Sequence, residues 1–256
     1  MSNAYRTKNS TGLINKNKKI NFSFNGHTYH GYEGDTLASA LISNGIHLIG
    51  RSFKYHRPRG FLGVGVEEPN AMVQLHEGNK SEPNIIATEV ELVEGLKAKS
   101  QNCWPSVQFD IGEVNNLLNR FFPAGFYYKT FMWPKSFWMK IYEPFIRKAA
   151  GMGVAPLQPD PDRYEHNYEH CDVLVVGSGP SGLASALAAA KNGARVILAE
   201  DKANFGGSLL TDEVTIGNMS GKEWANDTVA QLKSLPNVLL KKRSQVFGYY
   251  DHNMTV

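Results

Sequence analysis

Cys171-Asp172-Val173-Leu174-Val175-Val176-Gly177-Ser178-Gly179-Pro180-Ser181-Gly182 decides how the second half of this 256-residue chain folds. The apolar run 173–176 has the composition of a strand buried on both faces. Three glycines then follow in the spacing G-x-G-x-x-G, and an Ala-rich helix is expected from Leu183 to Asn192, ended by Gly193. A second strand is expected over Arg195–Ala199, with Glu200 at its end. Strand, glycine turn, helix, strand and terminal acid together form the pattern of a βαβ unit that binds a dinucleotide. Gly177 permits the tight turn, Gly179 lets the backbone approach a pyrophosphate, and Gly182 lets the helix lie close to the sheet. The helix N-terminus adds free amides and positive dipole. A carboxylate at Glu200 accepts bonds from ribose hydroxyls and repels a 2′-phosphate, which disfavours NADP. The motif alone does not separate FAD from NAD.

Further along, Gly206-Gly207-Ser208-Leu209 turns the chain back toward the phosphate loop, which resembles the glutathione-reductase-type Rossmann fold. A helix is expected over Lys222–Leu235, a third strand over Val238–Leu240, and the start of a hairpin over Val246–Tyr250. Three parallel strands are fewer than a doubly wound sheet needs. The chain is therefore expected to be a fragment of a longer polypeptide or to require a partner.

The first part reads differently. Ile20, Phe22 and Phe24 alternate, Asn25-Gly26 supplies a two-residue turn, and Tyr29 resumes the alternation, which predicts a hairpin. A short helix is expected over Thr36–Asn44, capped by Asp35 or Thr36 and closed by Gly45. Beyond Tyr55-His56-Arg57-Pro58-Arg59-Gly60 and a Gly-rich run, strands are expected at Ala71–Leu75 and Glu89–Val93. This order suits a small β-grasp domain. His56, Arg57 and Arg59 either anchor the Gly-rich loop to the aromatic segment or to a neighbouring subunit, or meet an anionic cofactor or substrate. His56 is not read as a base, because no paired carboxylate is identifiable.

Between the two parts, eleven aromatic residues fall from Phe121 to Phe145, interrupted by Pro123, Pro134 and Pro144. The prolines forbid one long helix. The rings either pack the segment against its own domains or fill an interface with another subunit. The domain boundaries expected are 18–110, 111–170 and 171–256.

Composition narrows the classes. Net charge is +3, from 27 Lys and Arg against 24 Asp and Glu, so bulk charge gives nucleic-acid binding no help. Two cysteines, Cys103 and Cys171, fit a reducing compartment and fall short of a four-thiolate metal site. Neither a secretory signal nor a transmembrane run is expected, so a cytoplasmic protein without membrane contact is.

Several long signatures occur together: Gly34-Asp35-Thr36-Leu37-Ala38, Ser52–Gly60, Glu67-Glu68-Pro69-Asn70-Ala71, Gln101–Ser106 and Tyr142–Gly151. With the dinucleotide motif they resemble the N-terminal quarter of heterotetrameric sarcosine oxidase alpha subunits. The resemblance implies a [2Fe–2S] ferredoxin-like β-grasp domain without its ligands, followed by an incomplete Rossmann domain. The cluster-ligand positions of related iron–sulfur proteins fall on Gly63, Glu68, Ala71 and near Asn102, so no cluster is expected, because four thiolates are needed. The cofactor-binding residues it implies are Gly177, Ser178, Gly179, Pro180, Ser181, Gly182, Glu200, Asp201, Lys202, Gly207, Ser208 and Val246, and the dinucleotide held there is NAD. It implies no catalytic residue and no metal ligand in this chain. It further implies a beta subunit carrying FAD, FMN between alpha and beta, smaller gamma and delta subunits, and tetrahydrofolate handled by a region beyond these residues. The reaction implied is oxidative demethylation of sarcosine to glycine, with hydrogen peroxide and 5,10-methylenetetrahydrofolate formed. Two alternatives stay open: a subunit of another FAD- or NAD-containing amine or opine dehydrogenase, and a non-catalytic dinucleotide-binding module.

Overall fold

The computed structural model describes residues 5–7, 12–121, 125, 131–149 and 153–256. The chain divides into two compact units, essentially 14–163 and 164–256.

In the first unit, β1 (Asn15–Phe24) and β2 (His27–Glu33) form the expected hairpin. Asn25 and Gly26 both take positive φ, 52° and 79°, as a type I′ turn requires. The alternation of β1 sends Ile20, Phe22 and Phe24 into the core, each burial worth about 1.5–3 kcal/mol. Helix α1 (Leu37–Ser43) buries Leu37, Ala38, Ala40 and Leu41 in the same core. It begins with a capping box in which Thr36 and Ser39 exchange side-chain and backbone bonds. Asp35, buried just before it, accepts a two-pronged contact from Arg6 at 3.1 and 2.6 Å.

A short pair, β3 (Gly50–Arg51) and β4 (Pro58–Arg59), precedes β5 (Met72–Leu75), β6 (Glu82–Ile86) and β7 (Leu96–Ser100). The five-stranded sheet has the order β2-β1-β7-β5-β6. β7 runs parallel to β1 and antiparallel to β5. The strand expected at Glu89–Val93 is absent apart from a single bridge between Thr36 and Glu91. β6 and β7 take its place. β6 contains Pro83, which a sheet edge tolerates. β7 carries its signal openly, with Leu96 and Ala98 buried and Lys97 and Lys99 outward.

After α2 (Val114–Leu117) comes the aromatic segment, of which Phe122, Phe126, Tyr127 and Tyr128 lie outside the described residues. Tyr142 packs against the rings of Phe131 and Phe137 and donates to the Trp133 carbonyl at 2.9 Å. α3 (Glu143–Ala149) follows, with Pro144 in its first turn, where a missing amide costs nothing.

The second unit is a parallel sheet in the order β12-β9-β8, built from β8 (Val173–Val176), β9 (Val196–Ala199) and β12 (Val238–Lys241). α4 (Pro180–Lys191) links β8 to β9. A small hairpin, β10 (Thr215–Ile216) and β11 (Met219–Ser220), leads into α5 (Gly221–Ser234), whose capping box joins Ser220 and Glu223. Leu183, Ala186, Leu198, Phe205, Ala225 and Leu232 form its core. Among the described residues no helix is long and apolar enough to cross a membrane.

Candidate functional site

The glycine loop between β8 and α4 has the geometry its sequence asks for. Gly177 sits at φ +90°, a left-handed conformation that glycine adopts at no steric cost. At Gly182 a Cβ would lie 2.0 Å from the Gly177 carbonyl oxygen, so only glycine lets α4 close on the loop. Gly179 is the opposite case. It precedes α4 at the N-cap in extended conformation, and a Cβ there would meet nothing within 4 Å. The space beside it is open, and the first-turn amides of α4 have no partner inside the helix. This is the form of an anion cradle, and it fits a dinucleotide pyrophosphate. Pro180 occupies the first helical position, and Ser181 is exposed beside it.

The loop is held from behind. The buried Glu200 carboxylate accepts from the Ser178 amide at 2.8 Å, from the Ser178 hydroxyl, and from the Lys202 amide at 3.0 Å. The Gly206 amide in turn donates to the Ser178 carbonyl and hydroxyl oxygens, both at 3.1 Å. Gly207, at φ +53°, packs so closely on the loop that a Cβ would lie 2.9 Å from the Gly179 Cα. Ser178 therefore ties three segments together: the glycine loop, the end of β9 and the Gly206-Gly207 turn. Burial works to raise the Glu200 carboxyl. A hydrogen bond shared with the Asp201 side chain, and those from Ser178 and from the Lys202 and Ser178 amides, outweigh it and hold the carboxyl below its ordinary value.

Other expected residues are placed less tightly. Asp201 and Lys202 are exposed at the end of β9, 3.7 Å apart. Ser208 is exposed in the turn after Gly207. Val246 borders a cleft of about 620 Å³ along β8, with Leu174, Val176, Phe247 and Tyr249. No spacing rule exposes the role of Ser178, since the x of G-x-G is free in the motif.

In the first unit the Gly-rich loop closes on itself. The buried Glu68 carboxylate accepts from the amides of Leu62 and Gly63, both 2.6 Å, Asn70, 2.7 Å, and Ala71, 3.2 Å. Burial works to raise this carboxyl too, and the four amides outweigh it and hold it low. His56 has the carboxylate partner that its sequence context did not reveal: its Nδ1 lies 2.6 Å from Asp110 Oδ2.

Comparisons with known proteins follow this division. Residues 17–103 match a family described as a 2Fe-2S iron-sulfur cluster binding domain, and residues 172–234 one described as FAD dependent oxidoreductase. The chain is 55% identical over 243 residues to sarcosine oxidase subunit alpha of Rhizobium meliloti (strain 1021), covering 95% of this chain and 25% of that protein. It is 30% identical over 244 residues to the subunit of the same name from Corynebacterium sp. (strain U-96), covering 94% of this chain and 20% of that protein. The chain thus spans a fifth to a quarter of the length of these curated relatives. Among solved structures, L-proline dehydrogenase from P. horikoshii aligns with a TM-score of 0.52 at 18% identity, over 96% of this chain and 36% of that one, which shows the fold alone. The resemblance to sarcosine oxidase alpha subunits holds along nearly the whole chain. The architecture is a 2Fe-2S ferredoxin-type domain followed by a fragment of FAD-oxidoreductase type.

One expectation is corrected. The sequence reading excluded an iron–sulfur cluster, and the match of residues 17–103 to a cluster-binding domain overturns that exclusion. The exclusion rested on counting ligands, whereas the match is to a domain as a whole. The chain carries two cysteines, and the amides of its Gly-rich loop are bonded to Glu68.

Proposed function

We propose that this chain is part of the alpha subunit of a sarcosine-oxidase-type oxidoreductase, in which residues 171–256 hold NAD and support assembly. In this reading the first unit is a ferredoxin-like β-grasp domain and the second an incomplete glutathione-reductase-type Rossmann domain. The complete enzyme would convert sarcosine to glycine, with hydrogen peroxide and 5,10-methylenetetrahydrofolate as co-products. Its flavin-bearing beta subunit and smaller gamma and delta subunits would assemble with this chain in the cytoplasm.

The observation that carries the dinucleotide assignment is the open face at Gly179, beside a glycine at 182 that tolerates no side chain. The α4 amides would bind the pyrophosphate, and Ser178 with Glu200 would hold the loop in the receptive shape. Glu200 would offer its remaining acceptor capacity, and Asp201 its exposed carboxylate, to the adenosine ribose. A bound nicotinamide or flavin would supply hydride chemistry, and the residues named here would bind and orient it.

A second reading, FAD in the same loop, is favoured by the similarity of residues 172–234 to FAD dependent oxidoreductases. The native complex, isolated through this chain, denatured and analysed by mass spectrometry, separates the two. NAD recovered with this polypeptide, and flavin with a companion chain, is the expected result. FAD recovered from this chain, with no flavoprotein partner, would replace the first reading with a self-contained amine dehydrogenase. Absence of any bound nucleotide would sink both.

A further inference from the structure

His56 is more constrained than a loop staple requires. Its backbone takes φ +52°, uncommon for a residue with a side chain. Its Nδ1 faces Asp110, whose side chain is 1% exposed. The other oxygen of Asp110 accepts from the Trp104 and Gly112 amides, both at 3.1 Å, so the carboxylate cannot turn away. At Gly112 a Cβ would lie 2.3 Å from His56 Nδ1, so that position must lack a side chain for the ring to fit. Strain, buried carboxylate and clearing glycine fix one imidazole, and local strain of this kind concentrates at functional positions.

With Nδ1 spent on Asp110, the Nε2 edge is left over. The ring borders a cavity of about 610 Å³, also lined by Lys99, Cys103, Trp104, Asp110 and Lys148. That volume lies within the ordinary range of small-molecule sites. Both lysines are exposed, and among the described residues neither side chain forms a hydrogen bond or an ion pair within 4 Å. The carboxylates nearby are engaged: Asp110 as above, Glu113 with Arg51 at 3.2 Å, and Glu77, whose charge also acts on Lys99, with Lys97 at 2.9 Å. The cavity is therefore cationic. Burial, and then the charge of Asp110, push the Cys103 thiol up, against a smaller pull from Arg51.

We infer that this cavity is a ligand site for a small molecule carrying one oxyanion group, carboxylate or phosphate. Lys99 and Lys148 supply the charge, and His56 Nε2 supplies the directional contact. The site lies wholly within the first unit and stands whether or not the dinucleotide assignment does.

The chain's two cysteines make a local test possible, because Cys103 lines the cavity and Cys171 belongs to the other unit. The intact native complex is alkylated with neutral iodoacetamide, with inorganic phosphate or acetate as probe at ionic strength matched with chloride. Peptide mass analysis reads each cysteine separately. The expected result is severalfold slower modification of Cys103 with one probe, no change at Cys171, and loss of the protection in both His56→Gln and Lys148→Met. Protection by phosphate assigns a phosphate ligand, and protection by acetate a carboxylate. Lys148→Met alters one exposed side chain, so it stays informative if His56→Gln misfolds. No protection by either probe, or equal protection in wild type and Lys148→Met, overturns the proposal.

Discussion

Glu68 in the first unit and Glu200 in the second do the same thing to opposite ends. Each is a buried glutamate that holds a glycine-bearing loop, and each is held below its ordinary pKa by hydrogen bonds that outweigh its burial. Glu68 draws four backbone amides inward from both arms of its loop. Glu200 draws in the amide and hydroxyl of Ser178 from the rear and leaves the Gly179 face clear. A carboxylate can thus either consume a loop's amides or shape the loop while leaving its amides for a ligand. The side from which it approaches decides which.

The sharpest break of this contrast lies within the second loop. Gly182→Val drives a side chain into the Gly177 carbonyl, so it should cost at or above the upper end of the ~1–3 kcal/mol typical of overpacking and empty the site together. A Cβ at Gly179 meets nothing within 4 Å, so Gly179→Val should leave the melting temperature of the apo form near wild type while abolishing nucleotide retention. Mass analysis of released nucleotide beside a thermal melt reads both. Normal nucleotide content in Gly179→Val would show that the open face is not the ligand's approach.

Glu68→Gln should come next, at roughly 2–3 kcal/mol, because an amide group would turn a donor toward backbone donors. The loss should appear in denaturant unfolding of the first unit, with no change in nucleotide content. The sign with pH is fixed by the depressed carboxyl. Its contribution is complete above the ordinary glutamate pKa and fades as pH falls through the lower folded value. Wild type should therefore converge on Glu68→Gln in acid. A gap that does not narrow as pH falls below the ordinary glutamate pKa would contradict this.

Ser178→Ala should cost about 1–2 kcal/mol and speed dinucleotide loss severalfold, since the hydroxyl's bonds to Glu200 and from the Gly206 amide are lost while the backbone bonds remain. Retention kinetics identical to wild type would leave Glu200 acting without Ser178. The smallest effect belongs to Asp172→Asn. Arg195 holds that carboxyl down, at about 2, through side-chain and backbone bonds. Yet the pair is solvent-exposed, and exposed pairs contribute little. A thermal melt indistinguishable from wild type is expected, and a large loss would show that burial is not what separates Glu68 and Glu200 from an ordinary surface acid.

Legibility in the sequence followed the range of the interactions. The Asn25-Gly26 hairpin, the Thr36 cap and the glycines at 177 and 182 are dictated by neighbours in sequence, and they stand where the pattern put them. The strand expected at Glu89–Val93 was apolar enough, but its backbone is engaged singly, Leu92 with Asp35 and Glu89 with Ile86. The better alternation at Leu96–Ser100 won the central place. Asp110 as partner to His56, Glu68 as the acceptor for its loop, and Ser178 as the link between turns depend on how the folded backbone aims one side chain. Spacing does not encode that.

The central strand of the first sheet, β7, is also the last to be made. β1 and β2 on one side, and β5 and β6 on the other, can each pair as they emerge from the ribosome, but nothing joins the halves until residues 96–100 arrive. The β1 edge of the nascent chain should therefore stay unpaired for the several seconds of synthesis between β1 and β7, and the β5 edge for about the last one to four of them, at ~5–20 residues per second. Protease resistance of nascent chains arrested before and after residue 100, once each has cleared the exit tunnel, should rise in one step. A gradual rise would mean that the halves find each other without the strand between them.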